Sequence, residues 1–250
     1  MRMSKFFQLI LLTSIAVNAH ADWKELLDML PEGSSDAVSA SESADVTGLS
    51  TQEMTAGLKE ALSTATEIAV NALGREGGFL DNPAVRIPMP EELSHVDKGL
   101  RKMGQEEMAD EFVATLNHAA EQAVPVALEQ FQGAIEAMTV EDAESIITGP
   151  EDAATQYFRA HSEAALRERF LPIVQETTAN AGVTSSYQNI IKQLGSFSSF
   201  LQPKSLDLDE YVTDEALNGL FEMVAQEEMK IRQDPVARSS DLLKKVFGGN

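Results

Sequence analysis

The chain has 250 residues, no cysteine, and 19 lysines and arginines against 40 aspartates and glutamates. The lack of cysteine excludes disulfides, thiol catalysis and cysteine-bound zinc, so the fold must depend on packing alone. A net charge of −21 repels phosphate backbones and anionic lipid head groups. We therefore expect no nucleic-acid binding, and we expect a cationic partner to be favoured.

The first 21 residues have the pattern of a secretory signal peptide. Two basic residues precede an apolar run over residues 6–17, and Ala19-His20-Ala21 forms a small-x-small cleavage site. We predict cleavage between Ala21 and Asp22, and a mature protein that is periplasmic or secreted. No later run reaches the roughly 20 apolar residues of a membrane span, so no integral membrane segment is expected.

Two further regions are predicted after the signal peptide. Residues 22–49 contain a short amphipathic helix over 22–30, with Trp23 on its apolar face, and then a flexible linker rich in serine. Residues 50–250 keep a helical period almost throughout. The predicted fold class is all-α, an irregular multi-helix bundle of about ten helices in a single domain.

Capping signals predict where several helices begin. Ser50 with Glu53, and Thr139 with Asp142, have the spacing of capping boxes at the start of helices over 50–73 and 139–149. Gly104 alone separates a helix with Leu93, Val96, Leu100 and Met103 on one face from the next helix, which predicts a tight helical hairpin.

Prolines and polar residues predict the remaining boundaries. Pro125 opens or kinks one helix, Pro150 takes the first position of another, and Pro172 marks a break or kink. Thr213 is the predicted cap of a helix that stops at Asp234-Pro235. Short helices are also predicted around residues 190–194 and 242–247.

Residues 74–90, GREGGFLDNPAVRIPMP, interrupt the helical pattern. Adjacent glycines and three prolines forbid a helix and favour an extended backbone, and Asn82 before Pro83 favours a turn. An extended Pro-rich loop is therefore predicted between two helices.

No catalytic motif stands out, and we expect no catalytic residue, metal site or cofactor. The mature chain has three histidines, His95, His118 and His161, and none has the spacing of a metal-binding pair. His161 lies on an apolar helical face, which predicts a hydrogen-bonded core histidine.

The candidate ligand-binding residues centre on three arginines, because guanidinium groups pair with carboxylates in bidentate fashion. In one interpretation, Arg86 anchors the 74–90 segment to Asp234 or Glu228. In the other, the arginines line a cleft for an anionic ligand. The full candidate set is Phe79, Asn82, Arg86, Tyr157, Arg159, Arg232 and Asp234.

Four motifs occur in order along the chain: GGFLDNPAVRIPMP, MTVEDAESIITGPEDAATQYFR, FLPIV and DEALNGLFEMVAQEEMKIRQDP. Together they resemble a family of secreted bacterial proteins known as domain of unknown function 4197, over about Leu49 to Phe247. The resemblance implies an envelope protein with a helical domain. It supplies no activity, ligand or catalytic residue.

Three functions follow as hypotheses. The leading one is a non-enzymatic periplasmic binding or scaffolding module for a peptide, an apolar ligand or an anionic ligand, whose partner is an envelope protein or a small molecule. The alternative is a cell-wall glycan hydrolase or lyase that uses one carboxylic acid, with Glu144, Glu163 and Glu176 as candidates. A third treats residues 22–30 as a tether to a partner or a membrane.

Overall fold

A computed structural model of the protein describes residues 50–180 and 207–233. In these ranges the chain forms seven α-helices, two 3-10 helices and no β-strand. The α-helices are α1 Thr51–Leu73, α2 Ser94–Lys102, α3 Glu106–Ala123, α4 Ala127–Ala137, α5 Val140–Thr148, α6 Ala153–Asn180 and α7 Leu208–Gln233. The 3-10 helices are Glu91–Leu93 before α2 and Val124–Val126 before α4. The all-α class is confirmed.

The described residues contain fewer helices than the ten or so expected. One reason is that α6 continues through Pro172, where a break or a kink was predicted, so that a break is excluded. Phe170 and Val174 are fully buried on either side of this proline, so core packing holds the helix together although proline removes one backbone hydrogen bond. The predictions on residues 1–49, around 190–194 and around 242–247 lie outside the described residues.

Both predicted capping boxes are confirmed. Ser50 Oγ accepts the Glu53 N–H at 3.3 Å, and the Glu53 carboxylate accepts the Ser50 N–H at 3.0 Å. Thr139 and Asp142 repeat the arrangement at the start of α5, at 3.1 and 2.9 Å. Hydrogen bonds from Thr139 also lower the pKa of the Asp142 carboxyl. Each box supplies acceptors to amides that a helix start leaves unpaired.

Two predicted helix starts are wrong. Helix α6 begins at Ala153 rather than Pro150, because the buried Glu228 carboxylate accepts the N–H groups of the α6 first turn. Helix α7 begins at Leu208, five residues before Thr213. There the Asp207 side chain accepts two α7 N–H groups, both at 3.1 Å, and acts as the cap.

Two predicted side-chain environments are also wrong. Met103, expected on the buried face of α2, is 52% exposed because it follows the last turn of the helix and precedes Gly104, whose φ of +71° turns the chain. His161 is exposed on α6, and its Nδ1 lies 2.8 Å from the Tyr157 carbonyl oxygen. The α2–α3 hairpin itself is confirmed.

Helices α6 and α7 form an antiparallel pair at the centre of the core. The Thr178 hydroxyl meets Asp209 at one end of the pair, at 2.6 Å, and the Thr155 hydroxyl meets Glu228 at the other, at 2.9 Å. Three phenylalanine rings join this pair to α4. The Phe131 centroid lies 5.0 Å from that of Phe158 and 6.1 Å from that of Phe221. Helices α1 and α3 pack against the pair.

Among the described residues, no helix is both long enough and apolar enough to cross a membrane.

Gly219 of α7 permits a close approach of residues 74–90 to that helix. A Cβ atom at this position would lie 2.8 Å from Phe79 Cε1 and 3.1 Å from Val85 Cβ. We expect Gly219→Ala to lower the free energy of unfolding by about 1–2 kcal/mol, because a buried ring must shift. Guanidinium unfolding followed by circular dichroism measures the change.

Gly133 of α4 is the matched control, since a Cβ atom there meets nothing within 4 Å. Gly133→Ala should raise the free energy of unfolding by roughly 0.5–1 kcal/mol, from helix propensity alone. Equal effects of the two substitutions would contradict the close contact at Gly219.

Candidate functional site

Residues 74–90, called the 74–90 loop below, lie against α3 and α7. Phe79 and Ile87 of the loop are buried among core residues, although no helix includes them. A buried segment without regular structure must find hydrogen-bond partners for its backbone, because an unpaired buried N–H or C=O group is destabilising. Side chains of α3 provide those partners.

Asn117 of α3 bonds to the backbone of Ile87 in both directions. Its Oδ1 accepts the Ile87 N–H at 2.8 Å, and its Nδ2 donates to the Ile87 carbonyl oxygen at 2.8 Å. The same Nδ2 also donates to the Val113 carbonyl oxygen at 2.8 Å. Asn117 is fully buried, so it acts as a substitute for a neighbouring β-strand at this one residue.

Glu121 lies one helical turn after Asn117 and binds the amino-terminal half of the loop. Its Oε1 accepts the N–H groups of Phe79 and Leu80 at 3.1 and 3.3 Å, while the residue is only 3% exposed. His118 Nδ1 lies 3.7 Å from its second oxygen. Sequence reasoning missed both Asn117 and Glu121. The available signal was two polar residues, four positions apart, within the apolar stripe of α3.

The loop also bonds to itself. Asn82 forms the predicted turn, since its Oδ1 accepts the Ala84 N–H at 3.1 Å and its carbonyl oxygen accepts the Arg86 N–H at 2.9 Å. Gly77 has a φ of +74°, a conformation that side chains disfavour. The loop backbone is therefore fixed both by hydrogen bonds within the loop and by hydrogen bonds to side chains of α3.

An open groove of 760 Å³ lies between the loop and the first half of α3. We call it the loop groove. It is lined by Leu80, Asp81, Arg86, Glu107, Asp110, Glu111 and Ala114. Glu107, Glu111 and Ala114 share one face of α3, so the helix forms one wall and the loop forms the other. The loop groove has one basic side chain and four acidic ones.

Arg86 has no ion pair and no hydrogen bond from its side chain within the described residues. The other described arginines each have at least one such contact: Arg75, Arg101, Arg159, Arg167, Arg169 and Arg232. The predicted anchoring of Arg86 by Glu228 is therefore wrong, because Glu228 is bound elsewhere. Arg86 instead presents an available guanidinium at the loop groove.

The other candidate residues have different surroundings. Phe79 is completely buried and belongs to the core. Tyr157 donates its hydroxyl to the Ala134 carbonyl oxygen at 3.0 Å and stacks on His161 with ring centroids 4.1 Å apart. Arg159 pairs with Glu163 at 3.5 Å and lies 4.5 Å above the Phe221 ring. The bond to Ala134 of α4 and the contact with Phe221 of α7 fasten α6 to its neighbours, whereas the other two contacts lie within α6.

Arg232 connects three helices. Its Nη2 donates to Glu228 Oε1 of α7 at 2.9 Å and to the Ile146 carbonyl oxygen of α5 at 2.8 Å. Glu228 in turn accepts the Ala154 N–H of α6 at 3.0 Å. Asp234 lies outside the described residues. The three candidate arginines thus have separate surroundings, and only Arg86 lines the loop groove.

The carboxylates proposed for a hydrolase gain no support from their surroundings. Glu144 and Glu176 are exposed, and half-buried Glu163 is paired with Arg159. Glu144 and Ser145 line a shallow groove of 290 Å³, where the Ser145 hydroxyl donates to the Glu141 carbonyl oxygen at 2.8 Å. A general acid needs a buried environment that favours its neutral form. Within the residues described, no three histidine or acidic side chains form a metal-binding group.

Tyr211 of α7 holds the carboxyl end of the loop. Its hydroxyl donates to the Pro88 carbonyl oxygen at 3.1 Å. Burial, and then the negative charges of Glu215, Glu92 and Glu91, raise the pKa of Tyr211 to about 12. Burial followed by the charge of Asp214 also raises the pKa of the Glu215 carboxyl.

Removing the Asn117 amide should loosen the loop. We expect Asn117→Ala to lower the free energy of unfolding by about 2–3 kcal/mol, because it leaves the buried N–H and C=O groups of Ile87 unpaired. Hydrogen exchange of the Ile87 amide should accelerate at the same time. Asn71→Ala, at an exposed position of α1, is the control and should change the free energy of unfolding by only a few tenths of a kcal/mol. An unchanged exchange rate at Ile87 would refute this role of Asn117.

Tyr211 should make stability depend on pH in the alkaline range. Between about pH 10 and 12 the folded protein keeps a phenolic proton that the unfolded chain releases, so the free energy of unfolding falls as the pH rises. Denaturant unfolding at pH 9 and pH 11.5 should show a steeper fall for the unmodified protein than for Tyr211→Phe. An equal fall in the free energy of unfolding for the two proteins would mean that Tyr211 does not contribute to this pH dependence.

Of three comparisons with known proteins, one finds a match. No match is found among the curated proteins, and none among the solved structures. The family model described as protein of unknown function (DUF4197) matches residues 48–248, which include both the loop groove and the helices that form it. The chain therefore belongs to the DUF4197 family.

Proposed function

We propose that this domain is a non-enzymatic binding module of the cell envelope, and that the loop groove holds a short peptide segment. The single observation that carries the proposal is Arg86, the described arginine whose side chain has no partner, at a groove whose walls are fixed. The envelope location rests on the predicted signal peptide over residues 1–21.

Fixed walls favour binding because less conformational freedom is lost when a ligand enters. The Arg86 N–H is bonded to Asn82, and the next residue, Ile87, is bonded to Asn117 on both sides of its peptide unit. On the opposite wall, Asp110 is held by Arg101 at 2.7 Å. The groove is thus largely formed before any ligand arrives.

The lining favours a peptide over the other two ligand classes. An apolar ligand finds charged side chains along the loop groove. The small cavity that includes Leu58, Ile146 and Ile231 has only 10 Å³, about the space for one water molecule. A purely anionic ligand meets four acidic residues and one arginine in the loop groove. A peptide has polar groups, charges and small apolar side chains in one molecule.

A substitution that fills the groove tests the proposal. Ala114 lines the groove on α3, and Ala164 is an exposed alanine of α6 that does not line it. The full exported chain is mixed with an equimolar pool of tripeptides, and its melting temperature and binding heats are measured. We expect members of the pool to raise the melting temperature. Ala114→Phe should weaken their binding at least fivefold, and Ala164→Phe should leave it unchanged.

Two results would contradict the proposal. One is a pool in which no tripeptide changes the melting temperature of the unmodified protein. The other is an equal response of the Ala114→Phe and Ala164→Phe variants, which would place the binding elsewhere.

A further inference from the structure

Resting on the function proposed above, we propose that the loop groove selects peptides carrying both a carboxylate and an ammonium group. Arg86 binds the carboxylate from the loop wall, and the exposed acids Glu107 and Glu111 bind the ammonium group from the α3 wall. The groove thereby distinguishes a peptide with two opposite charges from one with a single charge.

The arginine is suited to a carboxylate. Its guanidinium is exposed, always charged, and able to donate two parallel hydrogen bonds to a carboxylate. It pairs with none of the four acids that line the same groove, Asp81, Glu107, Asp110 and Glu111. Asp81 shares the loop wall with Arg86, whereas Glu107, Asp110 and Glu111 lie on the α3 wall, so a ligand that reaches both walls can contact Arg86 and the α3 acids at once.

The acidic wall is suited to an ammonium group. Asp110 is already paired with Arg101, whereas Glu107 and Glu111 are exposed and have no ion pair among the described residues. These two residues are four positions apart on α3, which places them about 6 Å from each other along one helical face. A lysine side chain can lie between them.

A ligand with only one kind of charge leaves part of the loop groove unmatched. A ligand with only negative charge gains Arg86 but is repelled by the acids, and a ligand with only positive charge gains the acids but leaves Arg86 without a partner. An extended tripeptide spans about 10 Å, and the groove volume of 760 Å³ lies within the usual range for ligand sites. One short peptide can therefore contact both walls.

The experiment compares three peptides by calorimetry on the full exported chain in low-salt buffer. The first is acetyl-Ala-Lys-Ala with a free carboxylate. The second is its carboxamide, and the third has an acetylated lysine. We expect the first to bind at least tenfold more tightly than either of the others, because each of them lacks one charge-assisted contact.

Substitutions then assign each charge to its wall. Arg86→Gln should abolish the preference for the free carboxylate over the carboxamide. Arg75→Gln, an equal loss of charge on the same loop but outside the groove lining, should preserve that preference. The double variant Glu107→Gln/Glu111→Gln should reduce the preference for lysine over acetyl-lysine at least threefold. All four positions are exposed, so the variants are expected to fold.

The outcomes separate this inference from the function on which it rests. Equal binding of the three peptides, abolished by Ala114→Phe, would overturn the two-charge rule and leave the peptide-binding groove intact. Loss of affinity in Arg86→Gln by the same factor for carboxylate and carboxamide would also overturn it. Failure of every peptide to bind would overturn both.

Discussion

Hydrogen bonds from two α3 side chains to the 74–90 loop are the constraint on which the rest of this structure depends. The backbone of this loop cannot rely on water for its hydrogen bonds where it is buried, at Phe79, Val85 and Ile87. Asn117 and Glu121 replace that water with fixed partners, one helical turn apart. Without them, the loop could not pack between α3 and α7, and the loop groove would lose one of its walls.

Buried carboxylates solve a related problem elsewhere in this acidic chain. Glu228 is 4% exposed, yet it accepts the first amides of α6 and pairs with Arg232. Glu227, also buried, pairs with Lys230 at 2.6 Å. A buried charge is tolerated only when it is paired and hydrogen-bonded. Part of the acid excess is therefore architectural, and these acids fix where helices begin and how they meet.

Sequence patterns predicted the local features well because those features depend on nearby residues. Both capping boxes, the α2–α3 hairpin and the Asn82 turn involve groups within a few positions of each other. The family resemblance also identified the correct family. The wrong start of α6 and the absence of a helix break at Pro172 share another cause. They are decided by distant residues, such as Glu228, and by core packing that outweighs a local proline.

The candidate site was predicted only in part, for the same reason. Arg86 was selected because arginine is uncommon in an acidic chain, but its surroundings depend on α3, more than twenty residues later in the sequence. Asn117 and Tyr211, which fix the loop backbone, have no local pattern that relates them to Ile87 or Pro88. A polar residue in an apolar helical stripe indicates a buried partner but does not identify it.

Leaving Arg86 unpaired costs the folded protein little. An ion pair between exposed side chains contributes only about 0–1 kcal/mol, and the loop backbone is already held by Asn117 and Glu121. The guanidinium stays solvated, and a ligand must replace that water and order a long side chain. Such contacts give modest affinity that falls as salt screens them. For the peptide binding proposed above, these contacts are therefore better suited to selecting among abundant ligands than to holding one permanently.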